Sequence, residues 1–236
     1  EYYDRALAVE AEVSGEQSVS YMVTLNNLAT LEESRGDPER ALQLFRRSFE
    51  YRRASLGPDN PSALRAEVNL GRALMRVGRL VEAEPLIARA MAAWATRLEP
   101  DAADMLRTRL GWAEWELRAG RFEAADATLE ALRPLFAGKP PALVFRHQAL
   151  VAELLQRRGR AAKAVEAWAL ALAQAEAQFG SESISTARWR VPYAEALLQA
   201  GQVDQARAQV RQAAPVLRAQ LVPGSELPRR LDALES

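Results

Sequence analysis

Cysteine is absent from this chain and histidine occurs once. Without thiolates there are no disulfides, no cysteine-based zinc sites and no thiol nucleophile, and cytoplasm and periplasm are compatible alike. A charge excess of either sign is missing too, because 31 Lys and Arg balance 31 Asp and Glu. Nucleic-acid binders draw much of their affinity from neutralising phosphates and show a basic excess, so no nucleic-acid partner is expected. Long apolar runs are lacking as well. The longest, Ala167 to Ala173, falls far short of the roughly 20 residues that cross a bilayer, and direct membrane insertion is not expected. The first residues, Glu1-Tyr2-Tyr3-Asp4-Arg5, contain neither Met nor the apolar stretch of a secretory leader.

Enzyme signatures are missing in the same way. There is no Gly-x-Gly-x-x-Gly, no phosphate loop, no Gly-x-Ser-x-Gly elbow and no His-Glu-x-x-His. His147, beside Arg146, has no second histidine to complete a usual zinc site, and a surface or interface role is expected for it. Acidic neighbours such as Glu32-Glu33 point about 100° apart on a helix and read as solvated surface. No catalytic residue, metal or cofactor is expected.

What is present is a period. Gly36, Gly78, Gly120, Gly159 and Gly201 are separated by 42, 42, 39 and 42 residues. Five residues after each glycine stands an alanine (Ala41, Ala83, Ala125, Ala164, Ala206), and seven before each stands a small residue (Ala29, Gly71, Ala113, Ala152, Ala194). Large apolar side chains flank these columns. Leu28, Leu70, Trp112, Val151 and Tyr193 precede the second small column, and Phe45, Ile87, Leu129, Trp168 and Val210 lie nine residues after the glycines. Large beside small is how close-packed surfaces interdigitate.

On both sides of each glycine about 16 residues follow helical periodicity, so each repeat predicts a helical hairpin. The glycine suits the left-handed position that ends a first helix, and Asp37-Pro38 supplies an N-cap and an N1 proline for the second. Turn-rich segments separate the hairpins: Leu56-Gly57-Pro58-Asp59-Asn60-Pro61, Gly138-Lys139-Pro140-Pro141, Gly180-Ser181-Glu182-Ser183 and Pro223-Gly224-Ser225. The expected fold is all-α, a right-handed α-solenoid forming a single repeat domain over 1–236. Its parts are a half repeat at 1–14, repeats at about 16–57, 58–99, 100–138, 139–180 and 181–222, and a capping segment at 223–236 with an amphipathic stretch from Leu227 to Leu234. Residues 1–14 read as a second helix without its first, so further chain is expected upstream.

Asn27-Leu28-Ala29, Gly36, Ala41, Phe45, Arg47-Ser48 and Leu56-Gly57-Pro58-Asp59-Asn60-Pro61 resemble, in order and spacing, the tetratricopeptide repeat in the 42-residue form of kinesin light chain. Asn69-Leu70-Gly71, Gly78, Ala83 and Arg89-Ala90 repeat the pattern; later the asparagine column becomes Gly111, Leu150 and Pro192. Of the 31 basic residues, 29 are arginine, and the whole is similar to repeat regions attached to bacterial serine/threonine kinases and regulators. The resemblance implies a non-catalytic scaffold that binds a protein or peptide on the inner surface lined by first helices. A sensor for a small ligand or signalling peptide, and a self-association module forming a homo-oligomer, are the alternatives.

On that face, thirteen residues before the glycines, stand Val23, Arg65, Arg107, Arg146 and Arg188, and six before them stand Thr30, Arg72, Glu114, Glu153 and Glu195. Together with Asn26 and Asn69 these arginines, Arg72 and the three glutamates are the candidate partner-binding residues. Two readings of the columns stay open. In one the arginines grip carboxylates of an acidic or extended peptide while the glutamates align its basic groups; in the other the two rows neutralise each other on a solvated face. Trp112, Trp115 and Trp168 are expected in the core, whereas Trp94 and Trp189 fall outside the apolar columns and are candidates for a groove or contact.

Overall fold

The computed structural model describes residues 2–16, 18–222 and 225–235. Among them are twelve α-helices and one 3₁₀ turn, with no strand. The helices are α1 (Tyr2–Ser14), α2 (Val19–Arg35), α3 (Pro38–Leu56), α4 (Pro61–Arg76), α5 (Leu80–Ala95), α6 (Ala103–Arg118), α7 (Phe122–Leu132), α8 (Pro141–Arg157), α9 (Ala161–Phe179), α10 (Ile184–Gln199), α11 (Val203–Gln220) and α12 (Glu226–Glu235). They fall into two compact bodies that meet in the sequence at Ala119 and Gly120. The N-terminal body holds α1–α6 and the C-terminal body α7–α12.

The phased glycines end the first helices as their spacing predicts. Gly36 sits in the left-handed region at φ 87° and donates its N–H to the carbonyls of Glu32 and Glu33, which would otherwise be unpaired at the helix end. The other four have the same sign of φ. One residue on, the Asp37 carboxylate accepts from the Arg40 N–H and Pro38 opens α3. Asn60 caps α4 in the same manner, accepting from the Ser62 N–H at 2.8 Å.

Both small columns are buried throughout: Ala41, Ala83, Ala125, Ala164 and Ala206 on the second helices, Ala29, Gly71, Ala113, Ala152 and Ala194 on the first. Close approach is tightest at Gly71, where a Cβ would stand 2.7 Å from Cγ1 of Ile87. The large column nine residues after each glycine is buried in all five repeats. Its first-helix counterpart is buried only at Leu28 and Leu70; Trp112, Val151 and Tyr193 are half-buried.

The 39-residue interval has a structural cause. Between Gly120 and Gly159 the second helix, α7, has only 11 residues, against 19 in α3 and α9, and gives way to a 3₁₀ turn at Arg133–Phe136. Pro134 opens that turn without an N–H to offer the helix, and α7 ends there. At the end of the chain, α12 packs on α10 and α11 through buried Leu231. It begins 42 residues after α10 and therefore continues the first-helix register. The turn residues Pro223 and Gly224 lie outside the described residues.

Candidate functional site

In the N-terminal body the first helices are α2, α4 and α6, and lateral polar contacts join side chains one period, or one residue more than a period, apart. Asn69 Nδ2 donates to Asn26 Oδ1 at 3.0 Å, 43 residues apart. Arg76 pairs with Glu33 at 3.2 Å, and Arg72 lies 4.0 Å from Glu114. The side chains 42 or 43 residues apart thus face one another on neighbouring helices.

The arginine column is organised by a residue outside both proposed rows. Arg65 on α4 donates through Nε to Asp104 Oδ2 at 3.2 Å, and Arg107 on α6 donates through Nη1 to Asp104 Oδ1 at 3.1 Å. Both arginine side chains are 51% exposed, while Asp104 is 21% exposed. Its offset of 39 residues from Arg65 belongs to no column of the repeat; the (i, i+3) relation to Arg107 was the one readable signal. Glu114 finds Arg118, one turn along its own helix, at 3.4 Å.

The C-terminal body treats the same columns differently. Arg146 and Arg188 are half-buried, and neither is free. Glu153 pairs with Arg157 of its own helix at 3.4 Å. Glu195 accepts two bonds from Arg230 of α12, at 2.8 and 2.7 Å, the bidentate geometry in which arginine binds carboxylates most strongly.

One expectation about aromatic side chains is corrected. Trp94 lines no groove: it is 2% exposed and packs with Leu64, Val68 and Met105. Trp189 is half-buried, its ring 4.9 Å from Phe145 and 5.8 Å from Trp168, and belongs to the edge of a core cluster. Trp115 is buried and donates to the Leu80 carbonyl at 3.0 Å; Trp112 stacks on it and bonds Glu116.

His147 is also corrected from surface to interior. At 7% exposure it packs against Phe136, and its Nε2 lies 2.9 Å from the Leu129 carbonyl in the last turn of α7. Trp189 and His147 share a column, twelve residues before a glycine, and so does Thr24, which donates to Glu10 of α1. In all three cases this position reaches the second helix of the preceding repeat. Burial lowers the His147 pKa, opposed by its bond to Leu129.

Buried Glu67, at 1% exposure, is held by Arg89, whose Nε donates at 2.7 Å; burial nevertheless raises its pKa. Two clefts of about 400 and 320 Å³ open beside α3, lined among others by Arg46, Glu50, Leu70 and Leu86. Among the described residues no group of three His, Asp or Glu side chains could hold a metal ion, and no helix is long and apolar enough to cross a membrane.

The profile of the tetratricopeptide repeat matches residues 1–54, 62–136 and 144–219. No curated protein matches the sequence. Among solved structures the fold is similar to a Podosopora anserina protein of nearly identical TPR-like repeats described as a kinesin light chain (TM-score 0.54, 22% identity, 84% of this chain and 95% of that one). It is also similar to BtubC (BKLC) from P. vanneervenii (TM-score 0.61, 17% identity, 92% and 89%) and to a Rap protein complexed with competence and sporulation factor (TM-score 0.61, 13% identity, 99% and 68%). At such identities the likeness is one of fold. With three matched segments taking in most of its length, and with paired helices, phased glycines and buried small columns in place, this chain belongs to the tetratricopeptide repeat family.

Proposed function

We propose that this chain is a non-catalytic scaffold which captures an acidic, extended segment of a partner protein on its first-helix face. The observation that carries the reading is the pair of half-exposed guanidinium groups, Arg65 and Arg107, brought from two repeats to one shared carboxylate. A site that already holds one carboxylate has the donors and the charge for another. Membership of a family of helical scaffolds, and a fold shared with a Rap protein complexed with competence and sporulation factor, support partner binding as the general role. We place the module within a larger bacterial signalling or regulatory protein, such as one carrying a serine/threonine kinase.

Charge reversal at both Arg65 and Arg107 tests the reading. In fluorescence anisotropy with a labelled hexaglutamate peptide, the double variant loses binding while its helicity and melting temperature stay close to those of the parent. Binding that survives the reversal removes the arginine column from the function. Self-association is favoured by a separate observation: Tyr2, Val9 and Val13 on α1 present exposed apolar side chains, Tyr2 at 80%. Light scattering coupled to size exclusion decides it, since a monomer at tens of micromolar excludes that role.

A further inference from the structure

Resting on the reading of the arginine column as a carboxylate site, we propose that Asp104 is an internal competitor, a built-in carboxylate that occupies Arg65 and Arg107 in the free protein and sets how acidic a partner must be to displace it. The geometry is that of a placeholder. Each carboxylate oxygen serves a different arginine, and each arginine gives it a single N–H, so both forks keep further donors for a stronger, bidentate ligand. Two guanidinium groups share one carboxylate, which leaves an excess positive charge on a surface that is half exposed.

The repeat itself shows that an acid is not required at this position for folding. Sixteen residues before each glycine stand Ser20, Ser62, Asp104, Leu143 and Ser185, so a carboxylate occurs in this column once. Nor does the side chain act as a cap of its own helix: the N-cap of α6 is Ala102, which makes no side-chain bond, and it is the backbone carbonyl of Asp104 that accepts from Thr108. A carboxylate in the first turn of a helix also interacts favourably with the helix dipole. That contribution affects stability alone and leaves ligand affinity unchanged, which makes the two roles separable.

The experiment measures hexaglutamate binding by anisotropy for the parent chain and for Asp104→Ser, Asp104→Asn, Arg65→Ala, Arg107→Ala and the charge control Glu99→Gln. Two exposed ion pairs of ordinary strength correspond to about a tenfold change, so Asp104→Ser and Asp104→Asn bind about tenfold more tightly at low salt. The gain shrinks as salt rises, and Arg107→Ala in the Asp104→Ser background abolishes it. Melting curves establish that each variant is folded. If binding by the parent depends on Arg65 and Arg107 but Asp104→Ser binds equally or more weakly, the competitor role is overturned and the arginine site stands. An equal gain from Glu99→Gln overturns it also, as a general charge effect. Binding indifferent to both arginines, or no binding by any variant, overturns the arginine site and the competitor together.

Discussion

The two bodies of the molecule share one packing scheme and differ in how their exposed columns are bound. In the N-terminal body polar bonds run between repeats: Asn26 to Asn69, Glu33 to Arg76, and Arg65 through Asp104 to Arg107. In the C-terminal body Glu153 turns to its own helix, as Glu114 does in the N-terminal body, and Glu195 crosses to Arg230 of α12. The bodies thus differ in which side chains pair, not in whether the pairing crosses helices. Beneath these differences the alanine columns are buried in both, at Ala41 and Ala83 as at Ala125, Ala164 and Ala206. Hydrophobic packing is set by side-chain volume, which the repeat conserves, whereas surface pairing is set by whichever long side chain reaches first.

That comparison can be broken most forcefully through the interior charges. Arg89→Ala leaves the Glu67 carboxylate buried without its partner and is expected to destabilise the N-terminal body by about 3 kcal/mol at pH 7 in urea unfolding, with the C-terminal body spared. Burial raises the Glu67 pKa above 4.5, so its ionisation opposes folding. The penalty therefore grows as pH rises through the folded-state value and shrinks in acid. A loss independent of pH would refute this account.

Overpacking tests the shared scheme. Ala83→Leu in one body and Ala125→Leu in the other should each cost about 1–3 kcal/mol, because both alanines are fully buried. Similar losses in denaturant titrations support a common architecture; a neutral effect in either body would separate them. Gly159→Ala comes next. With φ at 71° and open space around the added Cβ, backbone strain alone should cost about 1 kcal/mol.

The smallest expected effect sharpens the contrast. Burial lowers the pKa of His147 below 6.5, so the stability it contributes is complete above that pH and declines as pH falls toward the folded-state value. Arg133 beside it opposes protonation and Glu130 favours it. The C-terminal body should thus melt at lower temperature at pH 5.5 than at pH 7.5, while Glu67 drives the N-terminal body the other way. His147→Gln retains an N–H for the Leu129 carbonyl and should flatten the profile; a slope that persists would place its origin elsewhere.

Much of the fold was legible because the repeat states it five times over. A glycine at a left-handed helix end and an alanine against a bulky neighbour are local requirements that leave a mark at a fixed spacing, whereas the Asp37-Pro38 cap occurs in one repeat. The site was legible only in part. Asp104 to Arg65 is an interval of 39 residues and Glu195 to Arg230 one of 35, so neither pair follows the period that made the columns visible. His147 escaped for a related reason: its partner is a backbone carbonyl of α7, the helix shortened before Pro134, and no residue type signals an acceptor of that kind.

From sequence alone came the all-α class, the hairpin repeat, its phasing and the residues forming the contact between paired helices. These follow from periodicity and side-chain volume, which are properties of a segment and its copies. Only the tertiary structure decided which carboxylate each arginine holds, that Trp94 and His147 lie inside, and that Asp104 stands between Arg65 and Arg107. Those outcomes depend on distances between helices from different repeats, and a long flexible side chain can reach across them to several partners that spacing cannot tell apart.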